Sequence, residues 1–335
     1  MDDAVLMRVE NLKMHFDVSK RLFSKKKTLL KAVDDVSLSL RRGRTFGLVG
    51  ESGCGKTTLG RTIVRLYKPT AGRIWYSDAD LSPLSDAALM PYRSKMQMIF
   101  QDSFSSLNPR MMVGDIIAEP LRIQHRFASA REERELVEAL VERIGLRKDH
   151  ISRYPHEFSG GQRQRIGIAR ALANTPEFIV CDEPISALDV SIQAQVINLL
   201  LDLQDQMGLT YLFVSHDLSM VRHISHEVGV MYLGHMVETA PVHELYSHML
   251  HPYTEALMSA VPQADPDMAE KSRRIILQGD VPTPIDPPSG CPFRTRCPYP
   301  KPICEQVMPA LQDVGHGHFV ACHQAAGSNS SARSI

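Results

Sequence analysis

The sequence predicts an α/β fold with a mostly parallel sheet, and two observations support this prediction. Short apolar runs typical of buried strands alternate with helical patterns, as where residues 178–180 precede the helical stretch Val190–Met207. A glycine-rich turn follows the apolar run Thr45–Val49 and opens the next helix. The 335 residues allow about two domains and a sizeable core.

The remaining elements follow in chain order. Alternating apolar residues from Val9 to Phe16 predict the first strand and residues 32–40 a second, which begin an antiparallel β subdomain. The basic stretch between them, from Lys20 to Lys27, is either a solvated hairpin loop or a contact for phosphates or lipid headgroups. Further strands are predicted at 211–214 and 228–233, and helices at 116–123, 130–144 and 161–173 form a helical subdomain inserted at about 104–174.

Charge and hydropathy exclude several classes of protein. Lys and Arg total 38 and Asp and Glu total 38, so the net charge is zero, which argues against a nucleic-acid partner. The chain has no apolar run of about 18 residues, which excludes a membrane-spanning helix. It also does not open with a secretory signal. These features predict a cytoplasmic protein without disulfides.

A phosphate-binding loop is the most specific motif in the chain. Its residues are Gly50, Glu51, Ser52, Gly53, Cys54, Gly55, Lys56 and Thr57, which fit G-x-x-x-x-G-K-[ST] between a predicted strand and a predicted helix. Glycines let successive backbone N–H groups point at one anion, and the helix start adds a positive dipole end. Lys56 supplies a charge for the β- and γ-phosphates, and the Thr57 hydroxyl suits Mg²⁺. Cys54 is either a small filler or a redox-sensitive group.

A second motif is an apolar strand that ends in two carboxylates, Asp182 and Glu183. Alternation along a strand sends the two side chains in different directions. Asp182 can then reach the Mg²⁺ shell, while Glu183 can face the γ-phosphate and orient a water for in-line attack. Together with the phosphate loop, this motif predicts hydrolysis of a nucleoside triphosphate.

The order of these motifs resembles the ATP-binding cassette of ABC transporters over roughly residues 8–260. The diagnostic part is Ser159, Gly160, Gly161 and Gln162, because other phosphate-loop classes lack it. The resemblance implies that this motif closes over the γ-phosphate of an ATP bound to a partner's phosphate loop. The active unit would then be a head-to-tail dimer with two nucleotides between its subunits.

The same resemblance assigns roles to single residues. It implies that Gln101 contacts Mg²⁺ and the attacking water, that His216 contacts the γ-phosphate, and that Asp189 couples the two sites. Thr58 is also expected to bind the nucleotide. Phe16 is the candidate for stacking on adenine, with core packing as the alternative.

Residues 100–119 and 251–262, together with the cysteine-rich end, resemble the ATP-binding subunits of bacterial dipeptide and oligopeptide importers. This resemblance implies an ATP-hydrolysing subunit at the cytoplasmic face of the membrane, peripheral to it. Its partners would be a second ATPase subunit, two integral permease subunits and, through them, an extracytoplasmic peptide-binding protein. Two alternatives stay open: nickel or another small solute as cargo, or a soluble ABC ATPase acting on nucleic acid or ribosomes.

Four cysteines lie near the end of the chain, namely Cys291, Cys297, Cys304 and Cys322. Their spacings of five, six and 17 intervening residues are unlike those of a zinc knuckle. Four thiolates in a proline-rich stretch with a small core suggest that a metal supplies the folding energy. The resemblance to peptide importers implies a [4Fe–4S] cluster. Zinc, kept open by His323, and unliganded thiols are the alternatives.

The composition shifts near Pro262, which predicts a domain boundary. Residues 1–262 would form the cassette, 263–324 a small cysteine-rich module and 325–335 a disordered tail. Because the module lies far in sequence from every ATP motif, we expect it to have a structural or docking role.

Overall fold

The computed structural model describes residues 4–19, 28–102, 104–125, 127–186, 188–260 and 274–325. They form two compact units. The first contains the residues up to Leu6, Leu40–Thr45 and Pro83–Val214, and the second contains Met7–Ser39, Phe46–Ser82 and the residues from Ser215 onward. The basic stretch 20–27, the predicted boundary at 262 and the tail beyond 325 lie outside the described residues.

The secondary structure alternates between strands and helices, as the sequence predicts. The strands are β1 (Val5–Asp17), β2 (Leu29–Arg41), β3 (Thr45–Val49), β4 (Ala71–Tyr76), β5 (Ala79–Asp80), β6 (Met96–Ile99), β7 (Phe178–Asp182), β8 (Thr210–Val214), β9 (Glu227–Tyr232), β10 (His235–Pro241), β11 (Gln312–Asp313) and β12 (Phe319–Val320). The helices are α1 (Lys56–Ile63), α2 (Asp86–Arg93), α3 (Val113–Ile123), α4 (Ala130–Arg143), α5 (Gly160–Leu172), α6 (Val190–Met207), α7 (Leu218–Ile224), α8 (Val242–Ser247), α9 (Pro252–Ser259) and α10 (Ile303–Gln306). Two 3₁₀ turns, Lys148–Ser152 and Pro155–Glu157, lie between α4 and α5.

The first unit contains a parallel set of strands, with β7 paired to β6 on one side and to β8 on the other. Every residue of β7 and β8 is buried, as expected for parallel strands covered on both faces. Helices α3, α4 and α5 account for the three helices predicted between residues 116 and 173. The carboxyl ends of β6 and β7 therefore meet at one edge, which is where Gln101 and Glu183 follow.

The second unit contains a strand order in which β3 pairs with β9 in parallel, β9 with β10 antiparallel, and β10 with β12 antiparallel. A separate sheet has the order β2, β1, β4, β5, with antiparallel pairs between β1 and β4 and between β4 and β5. The α/β core and the antiparallel β sheet are therefore both confirmed. Each helix within the described ranges is too short or too polar to cross a membrane.

Residues 274–325, called here the C-terminal segment, have little regular structure apart from α10, β11 and β12. The segment belongs to the second unit because β12 adds to the edge of β10. Its Phe293 is 1% exposed and packs among Tyr232, Tyr253 and His251, at ring-centroid distances of 5.2, 5.4 and 5.5 Å. A second buried contact also holds the segment, because a ring nitrogen of His318 lies 2.7 Å from a carboxylate oxygen of Glu238. The segment thus gains its stability from packing and from added sheet hydrogen bonds.

Candidate functional site

The phosphate loop follows β3, whose five residues are all buried, and leads into α1, which begins at Lys56. The Lys56 side chain is 5% exposed, and its ammonium donates to the carbonyl oxygens of Gly50 at 2.7 Å and Glu51 at 3.0 Å. The first N–H groups of a helix have no acceptor within the helix, so they remain available to an anion. The loop therefore offers a positive charge and backbone donors at one helix start.

Two glycines of the loop have backbone conformations and surroundings that exclude a side chain. Gly50 and Gly55 have φ angles of 152° and 109°. A Cβ atom would lie 2.2 Å from the Met231 carbonyl oxygen at the first position and 2.0 Å from the Ala32 carbonyl oxygen at the second. The loop thus keeps its curled backbone only with glycine there. This cradle fits a bound phosphate chain.

Cys54 is buried inside this loop, and its carbonyl accepts the N–H of Gly234 at 2.9 Å. Burial raises the pKa of its thiol, so the reactive thiolate is disfavoured. These features favour the small-filler interpretation over the redox one.

His216 lies in the same unit as the phosphate loop and near its start. The N–H of Ser215 donates to the Leu48 carbonyl at 3.2 Å, which places residue 216 beside the end of β3. Asp217 then caps α7 by accepting the N–H groups of Ser219 and Met220 at 2.9 and 3.1 Å. His216 is exposed on this short turn, so its ring is accessible from solvent.

Gln101 and Glu183 are brought together in the first unit, where the Gln101 amide donates to the Glu183 carboxylate at 2.8 Å. Glu183 has a φ of 44°, an uncommon backbone conformation for a residue with a side chain. Its N–H donates to the Val214 carbonyl at 3.0 Å, which holds this turn in place. The preceding Asp182 is fully buried, whereas Glu183 is half-exposed, so the two carboxylates face different surroundings.

The Ser-Gly-Gly-Gln motif forms the start of α5. The Ser159 hydroxyl accepts the N–H of Gln162 at 3.4 Å, and the Gln162 side chain accepts the N–H of Ser159 at 3.1 Å, a reciprocal capping box. A Cβ at Gly161 would lie 2.4 Å from Ile192 of α6, so Gly161 allows the two helices to approach closely. Asp189 precedes α6, and its carbonyl accepts the N–H groups of Ile192 and Gln193 at 2.9 Å.

The remaining predicted residues lie in the second unit. Phe16 is half-buried and makes an edge-to-face contact with Tyr67 at a centroid distance of 5.5 Å. Thr57 and Thr58 are half-buried in the first turn of α1, where the Thr58 carbonyl accepts the hydroxyl of Thr62 at 2.7 Å. Ser52 and Gly53 are exposed at the outer side of the loop.

Two residues that the sequence did not suggest also contact the phosphate loop. The Tyr253 hydroxyl accepts the N–H of Glu51 at 2.8 Å. The Arg296 guanidinium donates two hydrogen bonds to the Glu51 carboxylate, at 2.8 and 3.0 Å. Neither residue belongs to a local phosphate-binding pattern, and Arg296 lies 245 positions from Glu51. Only tertiary packing could have identified them.

The prediction of an iron–sulfur cluster is wrong. Its ligands would have been Cys291, Cys297, Cys304 and Cys322, all of which are within the described residues and are free thiols. The part of the chain that the structure describes contains no group of three or more His, Cys, Asp or Glu side chains that could hold a metal, so the zinc alternative is not supported either.

The spacing of cysteines along the chain shows how many thiols are available, but it does not establish that they are arranged to hold a metal. Burial raises the pKa of the Cys291 thiol to about 11 and also raises that of Cys297, so both are protonated thiols in this structure. The argument that a metal supplies the folding energy also fails, since Phe293, β12 and the His318–Glu238 contact anchor the segment. The packing of the C-terminal segment is therefore explained without a metal.

Comparison with known proteins assigns the family. The sequence model described as ABC transporter matches residues 33–186, and the one described as oligopeptide/dipeptide transporter, C-terminal region, matches residues 237–304. A solved dimeric ABC transporter cassette covers 70% of this chain and 98% of its own, with a TM-score of 0.63 at 26% identity. A cassette dimer in a post-hydrolysis state with ADP and Pi gives a TM-score of 0.62 at 26% identity, with the same coverage.

Curated relatives match over nearly the full length. The oligopeptide transport ATP-binding protein AppF of Bacillus subtilis is 54% identical over 319 residues, 95% of this chain and 97% of the relative. The proteins named OppF of Salmonella typhimurium and Escherichia coli are 53% and 52% identical over 320 residues, 95% of this chain and 96% of each relative. None of these names describes an iron–sulfur protein. The chain belongs to the ATP-binding subunits of ABC transporters, and among them to the oligopeptide transport ATP-binding proteins.

Proposed function

We propose that this chain is the ATP-hydrolysing subunit of an ABC importer that takes up dipeptides or oligopeptides. The observation that supports the ATPase most directly is the buried Lys56 ammonium in a glycine cradle at the start of α1. The peptide cargo rests on the full-length similarity to oligopeptide transport ATP-binding proteins. That similarity does not favour nickel as the cargo, nor a soluble ATPase that acts on nucleic acid or ribosomes.

Different residues of the chain would bind the phosphates, hold the metal and activate the attacking water. The bound Mg²⁺–ATP supplies the phosphoanhydride bond that is broken. Lys56 and the loop N–H groups hold its phosphates, while Thr57, Asp182 and Gln101 are the residues suited to the metal. Glu183 accepts the proton of the attacking water at a carboxylate oxygen, and the amide of Gln101 keeps that carboxylate in place.

The remaining predicted residues would contact the nucleotide or act between subunits. The hydroxyl of Ser159 and the N–H groups at the start of α5 form half of an anion site, which would complete the site on a partner cassette. His216 would contact the γ-phosphate, Asp189 would couple the two sites, and Phe16 would contact adenine. The partner cassette would be a second ATPase subunit, so that the dimer is a heterodimer.

The motion of this dimer would drive transport through membrane partners. The helices between about 104 and 174 would relay closure and reopening to two integral permeases at the cytoplasmic face, where this chain would be peripheral. Peptides would reach those permeases through an extracytoplasmic binding protein. The domain boundary near residue 262 remains a proposal based on the motifs for ATP and relay, which all precede it, although residues 274–325 pack within the second unit.

Uptake measurements test the proposal. A bacterial strain that lacks this chain should fail to accumulate labelled di- or oligopeptides, and the wild-type gene should restore uptake while Lys56→Ala should not. Uptake of ⁶³Ni²⁺ in the same strains serves as the comparison. Restored nickel uptake with no change in peptide uptake would contradict the peptide assignment and leave the ATPase assignment intact.

A further inference from the structure

Glu51 places a negative charge within the phosphate loop, the segment that must attract a polyanion. Three groups of Glu51 form hydrogen bonds with other residues. Its N–H donates to the Tyr253 hydroxyl, its carbonyl accepts from the Lys56 ammonium, and its carboxylate accepts both hydrogen bonds of Arg296. Two of these three partners come from parts of the chain that follow β10.

The contact between Arg296 and Glu51 has the geometry of a strong ion pair. Two nearly parallel N–H···O bonds of 2.8 and 3.0 Å form the bidentate arrangement that only a guanidinium provides. The Arg296 side chain is 9% exposed and that of Glu51 is 28% exposed, so water screens this pair less than it screens a surface pair. The guanidinium carbon also lies 5.9 Å from the ring centroid of Tyr232.

Packing fixes Arg296 in this position. Phe293, three residues earlier, packs against both Tyr232 and Tyr253. The N–H of Arg296 donates to the Phe293 carbonyl at 3.0 Å, so the anchored ring and the guanidinium belong to one tight turn. The same Tyr253 holds the N–H of Glu51. These contacts of the C-terminal segment therefore hold the Arg296 guanidinium in place beside the phosphate loop.

We propose that Arg296 is a positioning residue of the phosphate loop, which neutralises Glu51 so that Lys56 remains available to the phosphates of ATP. The inference rests on the proposed function, since it concerns how the same loop binds ATP. Without Arg296, the Glu51 carboxylate would be left in the loop as an unpaired charge that attracts the Lys56 ammonium and repels the phosphates. The C-terminal segment thus contributes to ATP affinity through a residue that is not expected to contact ATP.

A double-mutant cycle on the full-length chain tests this role, with the Mg²⁺ complex of adenylyl imidodiphosphate as the probe in calorimetry. Arg296→Gln should weaken binding about tenfold in the wild-type background and by less than about twofold in the Glu51→Gln background. Arg296→Lys should recover part of the loss, because it restores the charge without the bidentate geometry. In the assembled ATPase, Arg296→Gln should raise the KM for ATP more than it lowers kcat.

Arg294→Gln is the matched control, because Arg294 lies in the same turn and donates to the Ser289 carbonyl within the C-terminal segment. It should leave the dissociation constant unchanged. Equal losses for Arg296→Gln in both backgrounds, or no loss in either, would overturn the positioning role while wild-type binding and its loss in Lys56→Ala still supported the proposed function. If the wild-type chain did not bind the nucleotide, the proposed function would fail and this inference with it.

Discussion

A single ammonium provides most of the positive charge that the phosphate loop offers to a nucleotide. Lys56 donates to two carbonyl oxygens of its own loop, so a bound phosphate chain would replace those contacts with stronger charge-assisted ones. Glu183 is the residue proposed for hydrolysis, and it is held in a left-handed turn beside the amide of Gln101. The proposal therefore assigns binding and turnover to different side chains, so that substitutions should separate the two.

Lys56→Ala should abolish tight ATP binding, because the loop loses its ammonium while the glycine-dependent backbone stays intact. We expect a loss of at least about 100-fold in affinity, or roughly 3 kcal/mol, in calorimetry with the full-length chain. Unchanged affinity would remove the assignment of the loop as the ATP site.

Glu183→Gln should retain ATP binding and reduce turnover at least about 100-fold, because the amide keeps the shape of the side chain but does not accept the proton of water. With the partner ATPase present, this variant should accumulate as an ATP-bound dimer in size-exclusion chromatography. Glu157→Gln, which alters an exposed carboxylate in a 3₁₀ turn, is the control and should hydrolyse ATP normally. Turnover near the wild-type rate in Glu183→Gln would place the catalytic base elsewhere.

Two helices of this chain begin with the same kind of serine cap, and we propose a further role for only one of the two serines. Serine hydroxyls cap both α4 and α5, accepting the N–H of Glu132 at 3.2 Å in the first case and that of Gln162 at 3.4 Å in the second. Ser129 and Ser159 are both exposed. Only Ser159 belongs to the motif proposed to complete a partner's ATP site.

Ser159→Ala and Ser129→Ala should therefore cost similar stability, about 1 kcal/mol each, but differ in activity. The first should lower ATP turnover of the assembled dimer at least about tenfold, since a hydroxyl facing the γ-phosphate is lost. The second should leave turnover within about twofold of the wild type. Equal activities for the two variants would indicate that Ser159 only caps its helix.

The start of α9 predicts a dependence of stability on pH. The His251 ring nitrogen Nδ1 accepts the N–H of Tyr253 at 3.1 Å, and burial lowers the pKa of His251 from 6.5 to about 4. Between these pH values the unfolded chain binds a proton that the folded chain does not, so this group's contribution is present above pH 6.5 and is lost as the pH falls toward 4.

His251→Asn keeps an N-cap acceptor and removes this titration. Its loss of stability between pH 7 and pH 4.5 in urea denaturation should be smaller than that of the wild type by roughly 1–3 kcal/mol. His223→Asn, at an exposed position in α7, should behave like the wild type. An identical pH dependence in all three proteins would contradict the assignment to His251.

The second compact unit includes the C-terminal segment. Strand β12 adds to β10, and Phe293 is buried against residues of β9 and α9. Other apolar side chains of the segment, such as that of Phe319, are exposed to solvent, unlike the buried Phe293. The segment is thus part of the unit that carries the phosphate loop.

Phe293→Ala should cost about 3–5 kcal/mol of stability, because it removes a fully buried ring and leaves a cavity beside Tyr232 and Tyr253. Phe319→Ala, at a 36% exposed position of the same segment, should cost under about 1 kcal/mol. Chemical denaturation measures both losses. Hydrogen exchange should show faster exchange in residues 291–305 of the first variant, and similar losses for both would contradict the anchoring role.

The sequence by itself determined the elements and motifs that depend on neighbouring residues. The strand Thr45–Val49, the helix Val190–Met207, the phosphate loop and the Asp182–Glu183 pair are short-range patterns, because backbone periodicity and anion binding at a helix start require adjacent residues. The resemblance to peptide importer ATPases was confirmed for the same reason, since it rested on contiguous motifs.

Tertiary structure alone decided the features that depend on distant residues. The four cysteines suggested a cluster by their number, but they do not form a metal site. Arg296 was part of a segment expected only to dock, yet it binds Glu51 in the phosphate loop across 245 positions. The physical reason is that spacing along a chain records which groups are present, whereas a metal site or an ion pair between distant residues is set by packing, here by Phe293 against Tyr232 and Tyr253.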